Sequence, residues 1–231
     1  GTLLYGPCRP GLVLCRNGNE RCTHEVTPAP EVCDEIDNDC NGLIDDGLNV
    51  ETMDVVFIVD RSCSMVNLGI DSARSVMLRI ARTVGSRPEY RFALIGLPTS
   101  SSVTPELLSD FVSGSDFVAV AGALTGLGST SFEPTFDALT MIGRGELGLT
   151  PRPGALRLAV LWTDEVGQSF YIPNNTDVSS GDALSSAAFM FIGFIPAGHH
   201  DSYQQSTMRT GGAIYNLGDE DIMSMQLAEH L

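Results

Sequence analysis

The 231-residue chain carries 29 acidic side chains against 13 basic ones, all of them Arg, for a formal net charge of −16. That balance repels nucleic acid phosphates and anionic lipid, and draws in divalent cations and basic partners. Apolar residues make up 43% of the chain, enough for a packed core, but the longest apolar runs, such as 55–59 and 187–195, fall well short of the ~20 residues that span a bilayer.

Residues 1–48 have no long apolar periodicity and are rich in Gly, Pro, Cys, Asn and Asp. Such a segment needs covalent or ionic staples to hold a fold. Five of the six cysteines, Cys8, Cys15, Cys22, Cys33 and Cys40, lie here and the sixth, Cys63, stands alone further on. This density reads as a disulfide-rich module made in an oxidising compartment, hence secreted or on the cell surface. The chain does not start with a Met-led signal peptide, which fits a mature form or an excised fragment.

In "GLVLCRNGNERCTHEV" two extended runs flank Asn17 and Gly18, a hairpin signal expected to set Cys15 opposite Cys22. Cys33 and Cys40 bracket the acidic stretch "CDEIDNDCNGLIDDG". Local pairing therefore leaves Cys8 and Cys63 over, with a disulfide between them as one expectation. The rivals are a reduced, buried Cys63, with Cys8 free or bonded to another chain, and a different pairing within the hairpin.

The acidic stretch places Asp37, Asp39 and Asn41 at alternate positions, then Gly42 and Asp45. This spacing is that of the start of an EF-hand-type loop, in which alternate oxygen ligands converge on one Ca²⁺ and Gly permits the sharp turn. The backbone carbonyl of Leu43 is a further expected ligand. The usual Glu at the twelfth position is Leu48, so Asp34 or Asp46 has to supply the missing carboxylate. The stretch also resembles a cysteine-bracketed acidic motif of bacterial surface proteins and is similar to type 3 thrombospondin repeats.

From residue 51 to 231 the pattern is one of apolar strands alternating with amphipathic helices. Strands are predicted at 55–59, 91–97, 158–163, 189–195 and 213–217, with a short one near 107–112. Helices are predicted at 70–84, 115–124, 134–142, 181–187, 203–210 and 221–230. This alternation implies an α/β domain with a doubly wound, mostly parallel sheet covered by helices on both faces.

The strand 55–59 runs directly into Asp60, Ser62 and Ser64 in "VVFIVDRSCSM", and "LAVLWTDE" delivers Asp164 in the same way. In such sheets ligands sit at the carboxyl ends of the strands where strand order reverses. A cluster of hydroxyls with few carboxylates suits a small hard cation, Mg²⁺ or Mn²⁺. The chain from 51 to 231 resembles a von Willebrand factor type A (vWA) domain, on "DRSCS", on "GSTSFEPTFDAL", which supplies Thr130, on "WTDE", and on "TGGAIYNL". The resemblance implies a metal-ion-dependent adhesion site in which Ser62, Ser64 and Thr130 are direct ligands and Asp60 and Asp164 act through water and hydrogen bonds. It also implies one open metal position, filled by a carboxylate from the partner.

The function expected is thus non-enzymatic: an extracellular binding or adhesion module that engages an acidic group on a protein or glycan. The alternative is a structural, self-assembling subunit of a surface assembly or filament, in which the metals only stabilise the fold. A metal-dependent hydrolase ranks third. His199 and His200 read as surface, and no GxSxG elbow surrounds Ser62 or Ser64.

Overall fold

The computed structural model describes residues 11–24, 26–29, 36–42, 52–85, 87–97, 104–126 and 133–231. The chain divides into two units, Gly1–Val50 and Glu51–Leu231. In the first, β1 (Leu12–Arg16) and β2 (Asn19–Thr23) pair antiparallel. The turn between them has positive φ at both Asn17 (56°) and Gly18 (79°), as a two-residue hairpin turn of the I′ type requires.

That turn fixes the register and corrects one expectation. Cys15 lies opposite Glu20, and Cys22 opposite Val13. Cys15 and Cys22 are therefore diagonal neighbours, ~7–8 Å apart in such a ladder, beyond the reach of a disulfide. Cys15 is an exposed free thiol. Cys40 is disulfide-bonded, and its expected partner Cys33 lies outside the described residues, as does Cys8.

The second unit is built on β3 (Met53–Asp60), whose eight residues are all buried. It is followed by α1 (Cys63–Leu68), α2 (Ile70–Val84), β4 (Tyr90–Leu97), β5 (Glu106–Ser113), α3 (Gly114–Gly122) and α4 (Thr135–Arg144). Then come β6 (Leu156–Trp162), α5 (Asp177–Ser186), β7 (Phe189–Ile195), a 3₁₀ turn (Ala197–Tyr203), α6 (Gln204–Thr210), β8 (Ala213–Asn216) and α7 (Glu220–Ala228). The six strands lie in the order β5-β4-β3-β6-β7-β8, and every pairing is parallel except β4 with β5.

Period-2 alternation along β3 sorts its side chains between two cores. Val55, Phe57 and Val59 pack with Met65, with the buried stripe of α2 and with Phe117, Met223 and Leu227. Val56 and Ile58 pack with Phe136, Leu139, Leu184 and Tyr203 on the other face. Helices therefore cover both faces of a mixed α/β sheet. The short apolar segment 107–112 is an antiparallel edge strand, and α5 starts earlier than the apolar pattern foretold, at a capping box between Thr176 and Ser179.

At the amino end of β3, Asp54 has no solvent exposure. Arg91 grips it with two hydrogen bonds (3.1 and 2.8 Å), and Arg152 adds its backbone N–H (2.6 Å) and its Nε (2.9 Å). Burial pushes the carboxyl up, but the bonds from Arg91 and Arg152 outweigh it and hold the group below the usual carboxylate range.

Candidate metal centres

Strand order reverses between β3 and β6, and in-register pairing of Val59 with Trp162 brings the residues that follow each strand side by side. Asp60, at the end of β3, is fully buried. Its Oδ1 accepts the Ser62 backbone N–H (2.8 Å), and its Oδ2 accepts the hydroxyl of Thr163 (2.8 Å). Ser62 and Ser64 hydroxyls stand 3.0 Å apart, and the Ser64 hydroxyl donates to Asp164 Oδ1 at 3.1 Å. The structure thus brings together Asp60, Ser62, Ser64 and Asp164; Thr130 lies outside the described residues.

Two adjacent ligands of an octahedral ion with bonds of ~2.0–2.1 Å lie ~2.9 Å apart, close to the separation of the two serine oxygens. Both oxygens of Asp60 are already fixed by hydrogen bonds, which suits a carboxylate that orients water rather than one that binds metal directly. Among the described residues no three His, Cys, Asp or Glu side chains converge into a metal site by themselves. A cation here therefore has to be held largely by hydroxyl oxygens, and the donor set fits Mg²⁺ or Mn²⁺.

The electrostatics are those of an excess of acid. Burial raises Asp60 to about 6 against the opposing hydrogen bonds from Ser62 and Thr163, and the charge of Asp164 adds to the rise. Glu133, buried at the approach to α4, rises to about 7 through burial and then the charges of Asp60, Glu165 and Asp164. The neighbouring cation in sequence, Arg61, is drawn away: its guanidinium packs over Gly96 and bonds Glu106 Oε2 at 2.8 Å.

Glu133, Thr163 and Glu165 are the members that sequence reasoning missed. Glu133 and Thr163 sit inside the quoted strings "GSTSFEPTFDAL" and "WTDE", but what singles them out is tertiary. Behind them the buried Tyr203 hydroxyl is shared between Thr135 Oγ1 (3.1 Å) and the Glu165 carbonyl (3.2 Å). The loop after β6 is anchored by the buried Asp137, which accepts from Phe170, Tyr171 and Ile172 backbone N–H groups. Cys63 is the exposed first residue of α1, not the buried thiol that was one expectation. His200 bonds the Ile195 carbonyl through Nε2 at 2.8 Å.

In the first unit, Asp37 is buried, and its Oδ2 accepts the Gly42 N–H at 2.9 Å, closing the loop across Gly42 (φ 99°). Its Oδ1 is buried with no hydrogen-bond partner, an acceptor that fits a cation. Asp39 accepts the backbone and side-chain N–H groups of Asn41 at 3.0 and 3.1 Å. Leu43, Asp45, Asp34 and Asp46 lie outside the described residues.

No protein-family model matches the sequence, and no curated protein does. Among solved structures, the chain is similar to an aerotolerance-related membrane protein from Bacteroides fragilis NCTC 9343 bearing multiple mutations to serines, with a TM-score of 0.58 and 11% identity over 77% of this chain and 97% of that one. It is also similar to the PilB minor pilin from Streptococcus sanguinis, with a TM-score of 0.59 and 13% identity over 81% of this chain and 62% of the pilin. At these identities the likeness is one of fold. Among the described residues no helix is long and apolar enough to cross a membrane.

Proposed function

We propose that residues 51–231 form a vWA-type domain that binds one Mg²⁺ or Mn²⁺, and that the protein is a cell-surface or secreted adhesion module rather than an enzyme. The observation that carries this reading is the fully buried Asp60 at the switch point, beside a paired serine hydroxyl set that is bonded to Asp164. A divalent cation is the missing counter-charge.

Ser62, Ser64 and Thr130 would hold the ion, with Asp60 and Asp164 orienting its waters and the serine hydroxyls. When bound, the ion supplies a positive charge with a free position for a carboxylate oxygen of a protein or glycan partner. In the first unit, Asp37, Asp39, Asn41, the Leu43 carbonyl and Asp45, with Asp34 or Asp46, would hold Ca²⁺. A Cys33–Cys40 disulfide would brace that loop.

The likeness to a minor pilin favours a second reading, a self-assembling subunit of a surface filament in which the ions only stabilise the fold. Thr130→Ala separates the two. Loss of Mn²⁺-dependent binding to immobilised carboxylate-bearing protein or glycan, with unchanged melting in EDTA, supports adhesion; retained binding contradicts it.

A further inference from the structure

Arg157, the second residue of β6, is a partly buried cation that no carboxylate neutralises among the described residues. Asp54 lies beside it in the β3–β6 register, but that carboxyl is held by Arg91 and Arg152. Arg157 donates instead to two backbone carbonyls, those of Ala187 at 2.8 Å and Arg152 at 3.2 Å, and its Nε is buried with no acceptor. A guanidinium keeps its charge at any working pH, and holding one partly out of water without a counter-ion is costly. The chain, at −16, is rich in carboxylates and places none of the described ones against Arg157.

Arg157 lines a cavity of about 260 Å³ between the end of α4 and the starts of β6 and β7. Ile142, Leu149, Pro151 and Phe189 form its apolar walls, and Arg144 brings a second cation. Phe189 is the in-register neighbour of Arg157 on β7, and the guanidinium lies over its ring at 5.8 Å, which fixes the charge against the wall. The α4 carbonyls that end here would oppose an anion, but those of Met141 and Ile142 are capped by the N–H groups of Glu146 and Gly145 (2.9 and 3.0 Å). Glu146 stands 3.8 Å from Arg144 with both side chains half exposed, a contact too weak to neutralise it. Mostly apolar walls with a few convergent charged groups are the usual make-up of a small-molecule site.

We propose that this cavity binds a small amphiphilic carboxylate, an aryl or short-chain alkyl acid, with its carboxylate on Arg157 and Arg144 and its apolar body against Phe189, Leu149 and Pro151. The planar guanidinium fork matches a carboxylate. A cavity of roughly 150 Å³ holds a benzene ring, so 260 Å³ takes a ring with a short acid arm and excludes a long-chain lipid. The net charge of −16 repels polyanions, which leaves a compact monoanion as the ligand that both volume and charge allow. The site lies at the amino ends of the strands and does not depend on the cation proposed for their carboxyl ends.

Titration of the full chain with phenylacetate and with hexanoate, in EDTA and followed by NMR, tests this apart from any metal. The account predicts saturable binding of at least one of the two acids, and binding of 2-phenylethanol, which keeps the ring and loses the charge, about tenfold or more weaker than that of phenylacetate. Arg157→Gln weakens the acid about tenfold or more, and Arg157→Lys, which keeps the charge without the planar fork, weakens it several-fold. Arg144→Gln costs about two- to fivefold, and Arg82→Gln, an exposed arginine outside the cavity, changes nothing. No saturable binding of either acid to wild type overturns the proposal. So does equal affinity for phenylacetate and 2-phenylethanol, or wild-type affinity in both Arg157 variants.

Discussion

Asp54 and Asp60 stand at opposite ends of β3, and neither exposes any surface. At the amino end two arginines, Arg91 and Arg152, close on Asp54. At the carboxyl end Asp60 is met by neutral donors, the side chain and backbone N–H of Ser62 and the hydroxyl of Thr163, and the charge acting on it is that of Asp164, of its own sign. One charge is neutralised by the chain itself. The other is left for something from outside, and burial without compensation marks the end of the sheet at which a ligand is expected.

Breaking the compensated end has the largest expected effect. Asp54→Ala leaves Arg91 and Arg152 facing each other over a vacated site, and removing one partner of a buried ion pair costs about 3–5 kcal/mol. Urea unfolding checks it, with the loss expected whether or not metal is present.

The same contrast gives opposite pH dependences. Asp54 has a lowered folded-state value, so its contribution is present above 3.8 and is lost as pH falls below that. Asp60 is raised, so the folded chain holds its proton more tightly than the unfolded chain. In EDTA, stability falls as pH rises from 3.8 to about 6, by roughly 3 kcal/mol from Asp60. Glu133 extends the decline from 4.5 to about 7. Melting scans across this window should show the fall in wild type and a shallower one in Asp60→Asn; a flat profile in wild type counts against an uncompensated Asp60.

Smaller effects sharpen the role of Arg61, which lies next to Asp60 without neutralising it. A Cβ added at Gly96 would sit 2.5 Å from the Arg61 guanidinium. Gly96→Ala should therefore cost about 1–2 kcal/mol through the displaced side chain. Glu106 is half exposed, so Glu106→Gln should change stability by only about 0.5 kcal/mol. Denaturant midpoints of the two variants rank them, and the reverse order would place the weight of Arg61 in its ion pair rather than in its packing.

The sheet was legible because its central strands are unbroken apolar runs, and Asp60, Ser62, Ser64 and Asp164 because each sits in a short string at a strand end. α1 was not legible: six residues give too little periodicity to separate a helix from a turn. The hairpin was read correctly as a hairpin, but the Cys15–Cys22 pairing failed because register follows the turn and not the cysteines. Glu133 and Thr163 escaped because nothing local distinguishes a buried Glu from a surface one, or a Thr that donates to Asp60 from any other. Their placement is decided only once α4 and β6 pack against β3.

The central claim, that the carboxyl end of β3 is completed by a divalent cation, is tested most directly by calorimetric titration of EDTA-stripped, desalted protein with Mn²⁺ at neutral pH, in wild type and Asp60→Asn. The account predicts saturable binding to wild type, accompanied at a hundredfold excess over Kd by about 2.7 kcal/mol of added stability, with the same component absent from Asp60→Asn. Identical titrations of the two proteins, or no heat and no stabilisation in either, would contradict it.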